Sequence, residues 1–320
     1  MPGPTGSPPG AVEVRGTTGN AAMDRIAEVV ADDGNLCGEG PIWDSSEKRL
    51  LWVDNEACLV FELGPATGGG RVISRGLMVA GIALNRDGRL VFCGATGLHL
   101  WGGPADCRTL GGEFAGGPPC FNDLVAGPRG EVYAGTIHWG PEGMERPGRL
   151  YRCAADGSWS VEDEGFELAN GLGFSPDDRT LYCTDSTARR IYAYDVDAAS
   201  GRLSGRRVFV SVPLEEGIPD GLTVDRQGFV WSAQWYGGQV VRYDPDGRVE
   251  RRIGLPMRQV SSVAFGGDDL TDLYVTTAAN SWKSPHAPPG YEFDAGNMGG
   301  PLYRLRTEIQ GRPEHLAAFG

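Results

Sequence analysis

One short pattern recurs six times along the 320 residues and confines the chain to a narrow set of folds. Its clearest copy is Ile218-Pro219-Asp220-Gly221-Leu222-Thr223-Val224. A polar residue and a glycine lead into apolar residues, followed by the polar turn Asp225-Arg226-Gln227-Gly228 and a second apolar run, Phe229-Val230-Trp231. The same order returns in Leu168-Ala169-Asn170-Gly171-Leu172, in Asn122-Asp123-Leu124-Val125-Ala126 and in Glu39-Gly40-Pro41-Ile42-Trp43. Weaker copies begin at Ala80-Gly81-Ile82 and Ser261-Ser262-Val263. The six starts, at 39, 81, 123, 170, 220 and 262, are spaced by 42, 42, 47, 50 and 42 residues. A repeat of this length, holding turns and several short strands, is the signature of a β-propeller. One unit cannot bury its apolar faces alone, whereas six packed around an axis can. The expected fold is therefore all-β: a six-bladed β-propeller with a metal site in its central channel.

The metal site follows from where the repeat puts its polar heads. Each falls at one end of the innermost strand of its blade, so Glu39, Asn122 or Asp123, Asn170 and Asp220 converge on one mouth of the channel. Taken singly, Asn-Gly and Asp-Gly are ordinary turn pairs. At equivalent positions of a repeat they form an oxygen-rich ring suited to one hard divalent cation, calcium, magnesium or manganese, and less exclusively zinc. Such a cation polarises a carbonyl or phosphoryl oxygen, and a neighbouring carboxylate can take a proton.

The rest of the chain narrows the setting. Residues 1–22 are rich in Gly, Pro, Thr and Ala and read as a flexible tail, leaving 23–320 as a single propeller domain. The stretch from Asp24 to Val30 reads as a strand that closes the ring by pairing near 301–307. Long polar interruptions at 136–149 and 279–300 read as loops over one face. The formal net charge of −13 argues against nucleic-acid or anionic-membrane partners. An odd count of seven Cys with no C-x-x-C fits a reduced, cytoplasmic protein. No stretch is long and apolar enough to span a bilayer. Neither a G-x-S-x-G elbow nor a phosphate-binding G-x-x-x-x-G-K-[ST] loop is present.

Taken together, Cys37-Gly38-Glu39-Gly40-Pro41-Ile42-Trp43, Phe121-Asn122-Asp123, Tyr133-Ala134-Gly135-Thr136, Asn170-Gly171-Leu172, Ile218-Pro219-Asp220-Gly221 and Ser261-Ser262-Val263-Ala264-Phe265-Gly266-Gly267 resemble the senescence-marker-protein/gluconolactonase/luciferin-regenerating-enzyme family over about residues 25–306. The resemblance implies a metal-dependent hydrolase that opens a lactone. It matches Glu39, Asn170 and Asp220 to the family's metal ligands, Asn122 to a further ligand and substrate contact, and Asp220 to the proton acceptor. Two departures bear on the substrate. Cys120 stands where sugar-lactone hydrolases of the family commonly carry Arg, and Ile137-His138-Trp139-Gly140 follows the Ala-Gly-Thr stretch where Glu residues can occur. With Cys120, His138, Trp139 and Trp235 as further substrate contacts, the expectation is a small molecule less polar than a sugar lactone. Phosphotriester hydrolysis, a pathway-specific biosynthetic role, and ion or ligand binding with little turnover are the alternative readings.

Overall fold

In a computed structural model, residues 11–18, 21–64, 69–111, 119–140, 143–280, 283–293, 296 and 298–320 are described. Two strands, β1 (Ala11–Thr18) and β2 (Ala21–Ala31), precede the repeats. Blade 1 comprises β3 (Gly38–Asp44), β4 (Arg49–Asp54), β5 (Leu59–Leu63) and β6 (Arg71–Arg75); blade 2 comprises β7 (Val79–Leu84), β8 (Leu90–Gly94), β9 (Gly97–Gly103) and β10 (Asp106–Leu110). In blade 3, β11 (Phe121–Ala126) and β12 (Val132–Thr136) are followed by a small hairpin, β13 (Trp139–Gly140) and β14 (Gly143–Met144), before β15 (Gly148–Cys153) and β16 (Trp159–Phe166) complete the sheet. Blade 4 runs through β17 (Ala169–Phe174), β18 (Thr180–Asp185), β19 (Arg190–Val196) and β20 (Leu203–Ser211). Blade 5 is β21 (Ile218–Val224), β22 (Val230–Trp235), β23 (Gln239–Tyr243) and β24 (Val249–Gly254), and blade 6 begins with β25 (Val260–Gly266), β26 (Asp272–Thr277) and β27 (Leu302–Arg306). The expected six-bladed all-β ring is what forms.

Alternation of apolar residues explains the packing between blades. On β4 and β8 successive side chains point to opposite faces, and both faces are covered, so these strands are buried along nearly their whole length. Neighbouring blades share apolar clusters, such as Leu51, Val53 and Val60 of blade 1 with Ile82, Leu90 and Phe92 of blade 2.

The ring closes as the sequence suggested. β2 pairs antiparallel with β27, Ala27 opposite Leu305 and Glu28 opposite Arg304, and so supplies the fourth strand of blade 6. The reading of 1–22 as a tail needs correction. Ala11–Thr18 forms β1, and β2 begins at Ala21 rather than Asp24. β1 folds back on β2 and pairs through Gly16–Thr18 with β24, joining blades 5 and 6 in one nine-stranded sheet. The unpaired backbone edges of β2 and β24 supply the reason, since an open edge takes up a strand whatever its composition. Residues 1–10, 19 and 20 lie outside the described residues.

At the opposite end of the chain, the segment after β27 crosses the face away from the polar heads. Gly311 N donates to Leu270 O at 2.7 Å, Arg312 Nη1 to Ser175 O at 2.8 Å, Ala318 N to Gly130 O at 2.9 Å and Ala317 N to Leu84 O at 2.8 Å. Arg312, Pro313, Glu314 and His315 thereby line the lower channel together with inner-strand residues such as Asp123 and Thr223.

Candidate active site at the channel mouth

The six inner strands share a feature that periodicity alone does not reveal. Each breaks register with its neighbour at its head: between Glu39 and Ile42, Val79 and Gly81, Phe121 and Asp123, Asn170 and Leu172, Pro219 and Leu222, and Val260 and Ser262. Such irregularities re-aim side chains and are common beside active sites. Asn170-Gly171 and Asp220-Gly221 are therefore strand residues inside β17 and β21, not turns. Their glycines are required by close approach. A Cβ on Gly171 would lie 2.5 Å from Asp220 O, and one on Gly221 would lie 2.0 Å from Ser262 Oγ. Removing these side chains lets adjacent inner strands meet and draws the heads together.

A cavity of about 230 Å³ opens at this mouth. Glu39, Asn122, Asn170 and Asp220 all line it, so the structure brings together the four residues that the repeat singled out. Asn170 and Asp220 are buried, and the Asn170 side-chain amide donates to Asp220 Oδ1 and, at 3.2 Å, to Ser186 Oγ. Asn122 Nδ2 donates to Ala169 O at 3.1 Å, tying blade 3 to blade 4 and leaving its oxygen as the group it can offer the cavity. Glu39 Oε2 accepts from Gly40 N at 3.3 Å.

The electrostatics are those of crowded carboxylates. Burial first, and then the negative charges of Asp220 and Asp123, push the Glu39 carboxyl well above its ordinary range. Burial and the charge of Asp123 do the same to Asp220, and burial lifts Asp123 to about 7. Among the described residues no Lys or Arg forms an ion pair with any of the three. A buried anion without a partner is costly, and a hard cation held by carboxylate and amide oxygens would offset that cost. The donor chemistry of Glu39, Asn122, Asn170 and Asp220 therefore fits a divalent ion. No group of three or more His, Cys, Asp or Glu side chains converges as a ligand set among the described residues, so any such site mixes carboxylates with amides.

The other expected substrate contacts divide. Trp235 lines the cavity. Cys120, His138 and Trp139 are not among its lining residues, although Ile137 between them is. Cys120 O accepts the backbone N–H of Ile137 at 3.0 Å and so sets that wall; burial raises its thiol pKa. His138 Nδ1 faces Arg146 Nη2 at 3.5 Å on the surface. Trp139 Nε1 donates to Glu167 O at 2.9 Å.

Sequence reasoning left Asp123 as an alternative to Asn122; of the two, Asn122 lines the mouth cavity, whereas Asp123 lines the channel below it. It missed Asn55, Glu56, Ser186 and Asn280, which complete the polar part of the wall. All four lie within three residues after the second strand of a blade, on the same side as the heads. That position in the repeat was the available signal.

Known proteins resemble this chain over most of its length. Residues 37–279 match the family model described as SMP-30/gluconolactonase/LRE-like region. The chain is 39% identical over 288 residues to a pentonolactonase of Haloferax volcanii, covering 89% of this chain and 96% of that protein. It is 31% identical over 282 residues to regucalcin of Gallus gallus, covering 85% and 94%. Among solved structures, the calcium-binding protein regucalcin of Agrobacterium tumefaciens superposes with a TM-score of 0.80 at 27% identity, covering 90% of this chain and 96% of the other. A luciferin-regenerating enzyme gives a TM-score of 0.80 at 27% identity, with coverage of 92% and 99%. The chain belongs to the SMP-30/gluconolactonase/LRE-like family, as the residues at its channel mouth had indicated.

Proposed function

We propose that this protein is a divalent-metal-dependent lactonase acting at the channel mouth. The observation that carries the reading is the meeting of Glu39, Asn122, Asn170 and Asp220 in one cavity, where no Lys or Arg among the described residues forms an ion pair with Glu39 or Asp220. The relation to a pentonolactonase supports a cyclic ester as the substrate. Glu39, Asn170 and Asp220, with Asn122, would hold the ion, and the donor set suits calcium, magnesium, manganese or zinc. When bound, the ion supplies Lewis-acid polarisation of the lactone carbonyl and stabilises negative charge on its oxygen. Asp220 accepts the proton of the attacking water at its carboxylate. The ring carbon–oxygen bond then breaks, and the proton passes to the departing ring oxygen to leave a hydroxy acid. Asn122, fixed by its bond to Ala169 O, orients the ester.

The substrate in this reading is less polar than an aldonolactone. Cys37, Ile137, Leu168, Ile218 and Trp235 give the cavity an apolar wall, and no arginine is among the described residues that line it. Asn55, Glu56, Ser186 and Asn280 serve a small number of hydroxyl groups. The test is hydrolysis of a panel from aldonolactones to aliphatic and aromatic lactones, by metal-stripped protein resupplied with one ion at a time. Turnover should require an ion and fall by at least about a hundredfold in Asp220→Asn. A protein that binds an ion yet opens no lactone would sink the proposal.

A further inference from the structure

The mouth cavity has two unlike sides. Ile137, Leu168, Ile218 and Trp235 line it with apolar surface on the side of blades 3 to 5, whereas Glu56 of blade 1 and Asn280 of blade 6 line it with polar groups. Blades 1 and 6 are neighbours where the ring closes, with Ser261 Oγ donating to Gly38 O at 2.5 Å. Glu56 and Asn280 meet across that seam: the Asn280 side-chain Nδ2 donates to Glu56 Oε1.

Both residues are held in place by one short segment. Glu56 stands exposed at the rim, but the turn that carries it is pinned. The buried carboxylate of Asp54 accepts from Ala57 N at 3.0 Å, Cys37 N at 3.2 Å and Leu36 N at 2.7 Å. Leu36 O in turn accepts from Asn280 N at 2.9 Å, and Gln259 Nε2 donates to Asn280 O. The Asn280 amide is oriented as well. An ionised carboxylate only accepts, so Glu56 takes Nδ2, and Asn280 Oδ1 lies toward Gln259 Nε2 at 3.5 Å. Glu56 keeps one carboxylate oxygen, and Asn280 one N–H, without a hydrogen bond among the described residues. An acceptor beside a donor suits a hydroxyl group, which donates and accepts at once. An ammonium group would leave the Asn280 N–H without an acceptor, and an alkyl group would leave both unused.

Resting on the lactonase reading, we infer that Glu56 and Asn280 are specificity-determining residues that take one hydroxyl group of the substrate. The protein then selects a two-sided lactone, hydroxylated toward blades 1 and 6 and apolar toward Trp235. The test uses the full chain with its ion and compares γ-butyrolactone with its α-hydroxy, β-hydroxy and γ-hydroxymethyl derivatives. For wild type, kcat/KM for the best derivative exceeds that for the parent by roughly tenfold to a hundredfold, the worth of a hydrogen bond to a charged group. In Glu56→Ala that ratio falls at least about fivefold. In Glu56→Gln, which keeps a neutral acceptor, it falls less. Asn280→Ala, whose backbone bonds remain, lowers it as well. Calorimetric dissociation constants for the matching lactams read the same ratio without turnover. A protein that opens no lactone but shows the shift with lactams refutes the lactonase reading alone. A wild-type ratio near one, an equal loss on parent and derivative in a normally melting Glu56→Ala protein, or binding of none of the series overturns the hydroxyl site.

Discussion

Asp123→Asn is expected to stabilise the metal-free protein, although the residue sits beside the candidate site. Asp123 is held near Glu39 and Asp220 and titrates at about 7 in the folded chain because it is buried. Its ordinary value is 3.8. The folded state therefore binds the proton more tightly than the unfolded state, and this contribution to stability is lost as pH rises from about 4 to about 7. Full ionisation in the fold corresponds to a cost of roughly 4 kcal/mol. Asparagine removes the charge, keeps the volume and can still accept from Leu124 N, which lies 2.7 Å from Asp123 Oδ1. For a chain of this length the unfolding entropy is about 0.7 kcal/mol per kelvin, so the variant should melt about 6 °C above wild type at pH 8. At pH 5 the gain should be about a third as large, because the wild-type carboxyl is then protonated in the fold. Calorimetric melts of metal-stripped protein at the two pH values measure both. Calcium should raise wild-type Tm more than that of the variant, since an ion offsets the same repulsion. Equal melting of the two metal-free proteins at pH 8, or a gain that does not depend on pH, would refute the account of the site as crowded, uncompensated carboxylates.

Two further outcomes test the scaffold that holds the site. Arg242→Met should lose about 3–5 kcal/mol in urea unfolding, because Asp225, fully buried with Arg242, would keep only Trp231 Nε1 at 2.8 Å and backbone N–H groups as donors; Asp225→Asn in the same chain should recover part of the loss. Asn85→Ala should cost about 1–3 kcal/mol and speed amide exchange at Ala317, since the buried Asn85 side chain donates to Phe319 O at 2.8 Å and accepts from Phe319 N at 3.0 Å, fastening the segment that lines the lower channel.

Much of the architecture is legible in one dimension because a propeller is built from local hairpins. Strand, turn and return lie within one repeat, so Asp220-Gly221 through Trp231 announces its own blade, and counting copies gives the ring. The heads Glu39, Asn122, Asn170 and Asp220 were legible for the same reason, since equivalent positions in a rotational repeat end at equivalent places around the axis. The exchange of β2 into blade 6 could be anticipated because a ring of repeats needs one strand from elsewhere to close. What the repeat could not determine depends on contacts between blades. The role of the glycines at 171 and 221 is set by the inner strand of the next blade, far along the chain, and it turns apparent turn pairs into strand residues. The carboxyls of Glu39, Asp123 and Asp220 acquire their shared electrostatics only when three blades bury them together. The contact between Trp139 and His286 joins insertions from opposite blades, whose irregular sequences carry no period to read. Local pattern thus specifies the blades and the ring of polar heads, whereas the walls of the cavity and the charge state of its floor arise from packing at long range.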